Sequence, residues 1–260
     1  MIRALYTSTT GMNGQELQLN VISNNLANVN TGGYKKSQTQ FEDLFYNSLR
    51  AVGAETVGGG QVPTGIQVGM GVRPTAVYKV FTQGDFAQTG NELDWAIQGR
   101  GFFKIVRDGV EYYTRAGAFK MDQDGFIVTS NGDRLQPEFT VPPETVALEI
   151  DSNGLLSALD SAQQTVASVQ ITLHDFINPA GLKAEGNNLF LPTDASGDPR
   201  EANPGIDGLG TIAQSVLETS NVNVTEEMVN LIITQRAFES NSKGVTTADQ
   251  LLEISNNLVR

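Results

Sequence analysis

Few side chains of this 260-residue chain have the type and spacing that chemistry needs. His174 is the only histidine, and no cysteine exists to join it as nucleophile, metal ligand or redox partner. A lone imidazole between Leu173 and Asp175 reads as a polar strand-end residue before it reads as a general base. Asp122-Gln123-Asp124-Gly125 and Asp151-Ser152-Asn153-Gly154 resemble the start of a calcium loop. Six residues after each glycine, where a bidentate glutamate should close the cage, stand Asn131 and Asp160. Both segments therefore read as tight turns. The 29 acidic residues guarantee carboxylate pairs in space, but no spacing singles out one pair for glycoside cleavage. Gly99-Arg100-Gly101 is a fragment of a phosphate-binding pattern and reads as a bulge or strand start. No nucleophile elbow, P-loop, zinc-protease helix or C-x-x-C pair occurs. The chain is expected to be no enzyme, with no catalytic, cofactor or metal site.

The elements around these residues are strands. Phe102 to Val106 meets Arg107-Asp108-Gly109 and then Val110 to Thr114. Phe119 to Met121 meets the 122–125 turn and then Phe126 to Thr129, with Asn131-Gly132 following. Asp-Gly and Asn-Gly between apolar runs are strong hairpin signals, and their regular spacing predicts a central all-β domain over about 85–204.

The two ends differ in kind. An apolar residue recurs at every seventh position in Leu5, Met12, Leu19 and Leu26, and again in Val224, Leu231, Phe238, Val245, Leu252 and Val259. This repeat predicts helices that pack lengthwise on other helices. The N-terminal helix should run from Ile2 to Asn28 and stop in the Asn- and Gly-rich 28–33 stretch. The C-terminal one should begin at Asn223, which with Glu226 fits a capping box. Gly11, Gly14 and Gly244 weaken both helices by about 1 kcal/mol each relative to alanine. The second core position is largely polar: Met228 is followed by Gln235, Ser242, Asp249 and Asn256. A seam this polar makes a weak isolated pair, so the tails are expected to become ordered in the company of other copies.

Between the N-terminal helix and the β domain lies a short amphipathic piece, Phe41 to Tyr46, and then a Gly/Val/Pro-rich stretch, 51–75, expected to be extended with one or two short strands. The net charge of −12 is concentrated in residues 51–220, which hold 21 acidic and 10 basic side chains. Near-neutral ends suit packing, an acidic middle suits solubility, and the balance excludes a nucleic-acid partner. No apolar run reaches the length of a membrane span, so no membrane insertion is expected. The start, MIRALYTSTTGMNG, lacks the apolar core of a cleaved signal peptide.

Three separated blocks carry a family resemblance. Residues 23–35, with Asn24, Asn25, Ala27, Asn28, Thr31, Gly33, Tyr34 and Lys35, are similar to the N-terminal signature of the bacterial flagellar axial proteins, which build rod and hook. Residues 86–103, FAQTGNELDWAIQGRGFF, resemble the opening of their β domain, and Leu217 through Phe238 resembles their C-terminal helix. Within the family, the full length, the 63–74 stretch (with Pro63, Gly65, Gly69, Gly71, Arg73 and Pro74) and Tyr113-Thr114-Arg115-Ala116-Gly117 are most similar to subunits of the distal rod.

The resemblance implies an α+β fold of discontinuous terminal helices forming a coiled-coil-like base, an extended arm and a central all-β domain. The corresponding division is 1–33 with 217–260 for assembly, 34–84 with 205–216 as connector arm, and 85–204 as the β domain. The assembly interface would comprise the heptad residues and Met228. The 63–74 residues would be specific to the rod. The chain would polymerise with itself into a helical tube in the basal body, crossing the periplasm and transmitting motor torque. Adjacent rod and hook proteins, the envelope rings around the rod and the type III export apparatus would be its other partners, export needing no cleaved signal. The alternatives are a proximal rod or hook subunit of the same family, or a secreted β domain acting on peptidoglycan.

Overall fold

The computed structural model describes residues 2–50 and 64–258, so Val259 and the whole of 51–63, Pro63 included, lie outside the described residues. Two compact units share the chain. One comprises Met1–Leu26, Ser37–Tyr78 and Val224–Arg260; the other comprises Ala27–Lys36 and Lys79–Asn223. The whole is α+β, with a helix at each end and strands between.

In the first unit, helix α1 spans Ile2–Ala27 and helix α2 spans Val224–Leu258. Helix α2 starts directly after Asn223, and Glu226 and Glu227 occupy its first turn, at the positive end of the helix dipole. The helices run antiparallel. A Cβ on Gly11 would stand 2.9 Å from Asn241 Nδ2, and one on Gly244 would stand 3.0 Å from Ser8 Oγ. At the far end of the pair, Asn25 reaches Glu227. Three contacts thus step along α1 by the amount they step back along α2, which fixes one register over the pair. The glycines that lower helix propensity are the positions where the neighbouring helix comes close. Gly14, buried, faces Phe41, whose Cε1 would lie 3.2 Å from an added Cβ.

The arm strands complete this unit. They are β1 (Ser37–Asp43), β2 (Tyr46–Arg50), β3 (Ile66–Gly69) and β4 (Val72–Lys79). Strand β1 pairs with β4, and β2 pairs antiparallel with β3 with a bulge between Ser48 and Arg50. Phe41 to Tyr46 is therefore strand and connection, not a helical piece. Its apolar residues are too few to separate the two periods, and pairing with the 66–79 strands decides for β. Gly71 has φ +116°, and a Cβ there would overlap Thr10 Oγ1 at 2.2 Å.

The second unit holds β5 (Phe86–Gln88), β6 (Trp95–Gln98), β7 (Phe103–Arg107), β8 (Val110–Thr114), β9 (Lys120–Met121), β10 (Ile127–Val128), β11 (Arg134–Gln136), β12 (Ala147–Ile150), β13 (Leu155–Leu159), β14 (Thr165–Gln170), β15 (Leu173–Asp175), β16 (Lys183–Gly186), β17 (Leu189–Leu191), β18 (Arg200–Ala202), β19 (Thr211–Gln214) and β20 (Val216–Glu218). Seven strands form one sheet in the order β16-β17-β8-β7-β11-β10-β9, and β12-β13-β14 form another. Trp95, Ile97, Phe103, Ile105, Phe119, Leu156, Ile171 and Leu173 sit in the main core, and Phe102, Tyr113, Phe176 and Phe190 form a smaller aromatic one.

The turns fall where the Gly-containing dipeptides stand. Asp108 and Gly109, at φ +51° and +79°, close the β7–β8 hairpin. The two calcium-loop-like segments are turns, closed by Gly125 N–H to Asp122 O at 2.9 Å and Gly154 N–H to Asp151 O at 2.8 Å. The 205–216 stretch, expected in the connector arm, packs within this unit: β19 pairs with β6, and Leu209 and Ile212 belong to the main core.

His174 is not a strand-end residue on the surface. It lies mid-strand in β15, buried, with its ring centroid 5.3 Å from that of Tyr113. Its Nδ1 is buried without a hydrogen-bond partner among the described residues, and Nε2 is 3.7 Å from Glu201 Oε2. Burial pushes the His174 pKa down, with Glu201 pulling the other way. Burial raises the Tyr113 hydroxyl.

Candidate assembly surface

Most of the described heptad residues share one degree of burial. Leu5, Met12, Leu19, Leu26, Leu231, Phe238, Val245 and Leu252 are all half-buried, whereas Val224 and Met228 are exposed. A half-covered stripe has one side against its own chain and one side available.

The first three turns of α2 are inverted. Glu227 is 5% exposed and Thr234 is 2% exposed, while Met228 and Ile232 are each 50% exposed and Ile233 is 59%. Val229 is exposed as well. A helix in a self-sufficient domain buries its aliphatic face. This one turns polar residues inward and leaves branched aliphatics in water. The arm does the same, with Phe45, Tyr46, Leu49, Ile66 and Val68 exposed. Large exposed apolar patches on a protein surface mark interaction sites.

Asn25 explains why a polar residue belongs inside the helical base. Its side-chain amide donates from Nδ2 to Ser37 O at 2.9 Å and accepts at Oδ1 from Ser37 N–H at 2.8 Å. Nδ2 also lies 3.4 Å from Glu227 Oε2. One buried amide thus ties α1 to the first residue of β1 and to α2, which accounts for the buried Glu227.

The remaining motif residues hold the 27–36 segment within the β-rich unit. Lys35 Nζ donates to Glu218 Oε1 at 2.6 Å and to Thr82 O at 2.8 Å. Arg115 Nε donates to Glu218 Oε2 at 3.1 Å, and its Nη1 donates to Gly99 O at 2.9 Å and Gly101 O at 2.7 Å. Gly84 N–H donates to Glu218 Oε1 at 3.0 Å. Lys35 and Glu218 side chains are 0% exposed. The cluster is a buried carboxylate shared by two cations. Burial lowers the Lys35 pKa against the opposing pull of Glu218. The Gly99-Arg100-Gly101 fragment is thereby explained as a carbonyl platform for Arg115, with φ +116° and +131° at its two glycines.

Gly33 N–H donates to Glu218 O at 2.8 Å, and Lys36 N–H to Asn221 Oδ1 at 2.7 Å. Lys79 Nζ lies 4.2 Å over the Tyr34 ring and donates to Lys35 O. Thr31 Oγ1 meets Asn28 Oδ1 at 3.3 Å. Asn24 and Ala27 are exposed.

Of the arm residues, Gly69 faces the Tyr46 ring, Gly71 lies against Thr10, and Arg73 pairs with Glu42. Gly65 is half-buried ahead of β3, and Pro74 is exposed on β4. The positions to which sequence reasoning assigned no role are Arg115, Glu218, Asn221 and Glu227. All four stand inside resembling blocks. Their pairing partners are more than a hundred residues away, with the exception of the Arg115 platform.

The comparisons follow the same geometry. Residues 5–35 match a family model described as flagella basal body rod protein. Residues 96–158 match the flagellar hook protein FlgE/F/G D1 domain, and residues 213–258 match the flagellar basal body rod FlgEFG protein C-terminal region. A flagellar basal-body rod protein FlgG of Buchnera aphidicola (from Schizaphis graminum) is 44% identical over 97% of this chain and 98% of its own length. Those of Borreliella burgdorferi and Caulobacter vibrioides are 42% and 43% identical, covering 100% and 99% of both chains. Among the described residues, no helix is long and apolar enough to cross a membrane. The chain belongs to the flagellar basal-body rod protein family, whose members are structural subunits of the flagellum and not enzymes.

Proposed function

We propose that the chain is a subunit of the distal rod, polymerising through its terminal helices into a rigid helical tube that carries motor torque to the hook. The observation that carries this reading is the inverted start of α2, which leaves aliphatic residues in water on a chain whose relatives are rod proteins. The half-buried heptad residues supply the rest of the interface, and the tails gain order as copies cover one another. Residues 1–33 with 217–260 serve assembly, 34–84 connects, and 85–204 forms the β domain, with which 205–216 packs. Residues 63–74 are the rod-specific part of the arm. Adjacent rod and hook subunits contact the tube ends, envelope rings surround it, and the chain leaves the cytoplasm through the flagellar export apparatus without a cleaved signal.

The test is a charge in the seam. Leu231→Asp or Phe238→Asp desolvates a carboxylate wherever the stripe is covered and should abolish polymerisation, read by sedimentation and electron microscopy. Normal polymers from either variant refute this packing face. A proximal rod or hook position is the second reading, since two of the matching models span hook and rod proteins together. Immunogold label at the hook-side end of isolated rods supports the distal position, and label at the membrane end or on the hook replaces it.

A further inference from the structure

Three Asn-Gly pairs occur in the chain: Asn13-Gly14, Asn131-Gly132 and Asn153-Gly154. The dipeptide carries a chemistry of its own, because a glycine nitrogen unshielded by a Cβ can attack the preceding side-chain amide. Two of the pairs occupy the same turn. The strand pairs that flank it are Val128 with Arg134 in one and Ile150 with Leu156 in the other. Thr129 N–H donates to Asp133 O at 2.8 Å and Gly132 N–H to Thr129 O at 3.0 Å; Asp151 N–H donates to Leu155 O at 3.0 Å and Gly154 N–H to Asp151 O at 2.8 Å. The two glycines have φ +89° and +83°. What differs is the clamp. Gly154 is buried, and a Cβ on it would stand 2.6 Å from Ile171 O. Asn153 Nδ2 donates to Asp151 Oδ2 at 3.1 Å, and Gln170 Nε2 donates to Asn153 O at 2.7 Å. Asn131 and Gly132 are both exposed, with nothing within 4 Å of a Cβ added to the glycine. Among the described residues, the Asn131 side-chain amide makes no hydrogen bond. Asn13-Gly14 lies inside α1, where Gly14 is buried against Phe41.

We infer that Asn131 is a site of spontaneous deamidation, selected from the three by its unclamped turn. The Gly132 nitrogen bonds to Asn131 Cγ and gives its proton to water. The Cγ–Nδ2 bond breaks, and ammonia leaves with a proton taken from water. Water then opens the resulting succinimide. Attack at Cγ restores the ordinary peptide bond and leaves aspartate. Attack at the backbone carbonyl carbon leaves isoaspartate, with the chain running through the side chain. In sum, one water enters and one ammonia departs, and no oxidant is consumed. To reach the attacking geometry the turn must open, which breaks the exposed bond from Gly132 to Thr129 beside the short strand β10. At Asn153 the same opening must also break the Asp151 and Gln170 contacts and move Gly154 out of its buried place. At Asn13 it must unwind part of a helix. The product places a new carboxylate near Asp133, which Arg107 holds through two hydrogen bonds of 2.7 Å. Isoaspartate also lengthens the main chain inside a turn whose register Val128 and Arg134 set.

The full-length chain is incubated in mildly alkaline buffer, sampled at intervals, digested in acid and read by peptide mass spectrometry. Loss of an amide raises a peptide's mass, whereas isomerisation of an Asp-Gly pair does not, so the signal belongs to asparagine alone. A parallel sample is held in urea. There the three sites should convert at similar rates, since they share one dipeptide. In the folded chain Asn131 should convert at least about tenfold faster than Asn13 or Asn153, the factor that one further hydrogen bond to be broken supplies. Asn131→Gln should remove the fast phase and leave the other two sites unchanged. Equal rates at Asn131 and Asn153 in the folded chain overturn the inference. So does the same ranking in urea, which would assign the selection to local sequence instead of the fold. An Asn131 that persists in the folded chain while the urea sample converts fully overturns it as well.

Discussion

Lys35 Nζ stands 2.6 Å from Glu218 Oε1, with both side chains withdrawn from water and 183 residues of chain between them. Arg115 approaches the other carboxylate oxygen, so two cations share one anion. The three are not equivalent. Removing the anion leaves two like charges buried together, whereas removing Lys35 leaves a complete Arg115–Glu218 pair.

Glu218→Gln should therefore cost about 3–5 kcal/mol, the range for breaking a buried pair from one side. That corresponds to a fall in Tm of about 10 °C for a unit of this size. Lys35→Met should change stability by no more than about 1 kcal/mol, because burial already works against the charged lysine and lowers its pKa. Thermal unfolding of both variants checks the asymmetry. Equal losses would show that Lys35 is as necessary to the cluster as Glu218 and overturn the asymmetry.

His174 gives the β-rich unit a pH dependence of defined sign. Burial lowers its folded pKa from the ordinary 6.5. The unfolded chain thus takes up a proton at a higher pH than the folded one. Stability supplied by the neutral imidazole is complete above about pH 6.5 and declines as pH falls toward the folded pKa. His174→Gln should flatten the urea midpoint between pH 7 and pH 5 relative to wild type. As the only histidine, it has no competitor for the assignment. A slope unchanged in the variant would move the effect to the carboxylates.

Gly32 and Gly33 separate cleanly. Gly33 has φ +71°, and a Cβ there would stand 2.7 Å from Ala116 N, against backbone that cannot yield. Gly32 has no such φ, and its nearest neighbour would be Glu218 O at 3.6 Å. Gly33→Val should destabilise the β-rich unit by more than about 2 kcal/mol, combining left-handed strain with overlap. Gly32→Val should fold as wild type. Chemical denaturation distinguishes them, and equal midpoints would refute the close approach at Gly33.

Much of this was legible because it is local. Asn223 followed by Glu226 marks the start of α2, and Asp108-Gly109 marks a hairpin. From Leu231 to Leu252 the sevenfold repeat falls on half-buried positions, whereas Val224 is exposed. The amphipathic piece Phe41 to Tyr46 does not declare its type because six residues do not resolve the two periods, and strand pairing across the arm decides it. The inverted face of α2 was invisible for another reason. Glu227 looks like a solvent-facing residue of a first helical turn, and only the amide of Asn25, 202 residues away, gives it cause to turn inward. Lys35 carried a family signature, yet its anion and the Arg115 guanidinium come together only through the folded sheet.

The two glycine notches in the helix pair have a mechanical meaning. Gly11 receives Asn241 and Gly244 receives Ser8, so each helix carries a tooth that fits a gap in the other. An axial slide of one residue, about 1.5 Å, would carry Asn241 and Ser8 off the glycines that admit them and towards the flanking turns, so the notches favour one register of the pair.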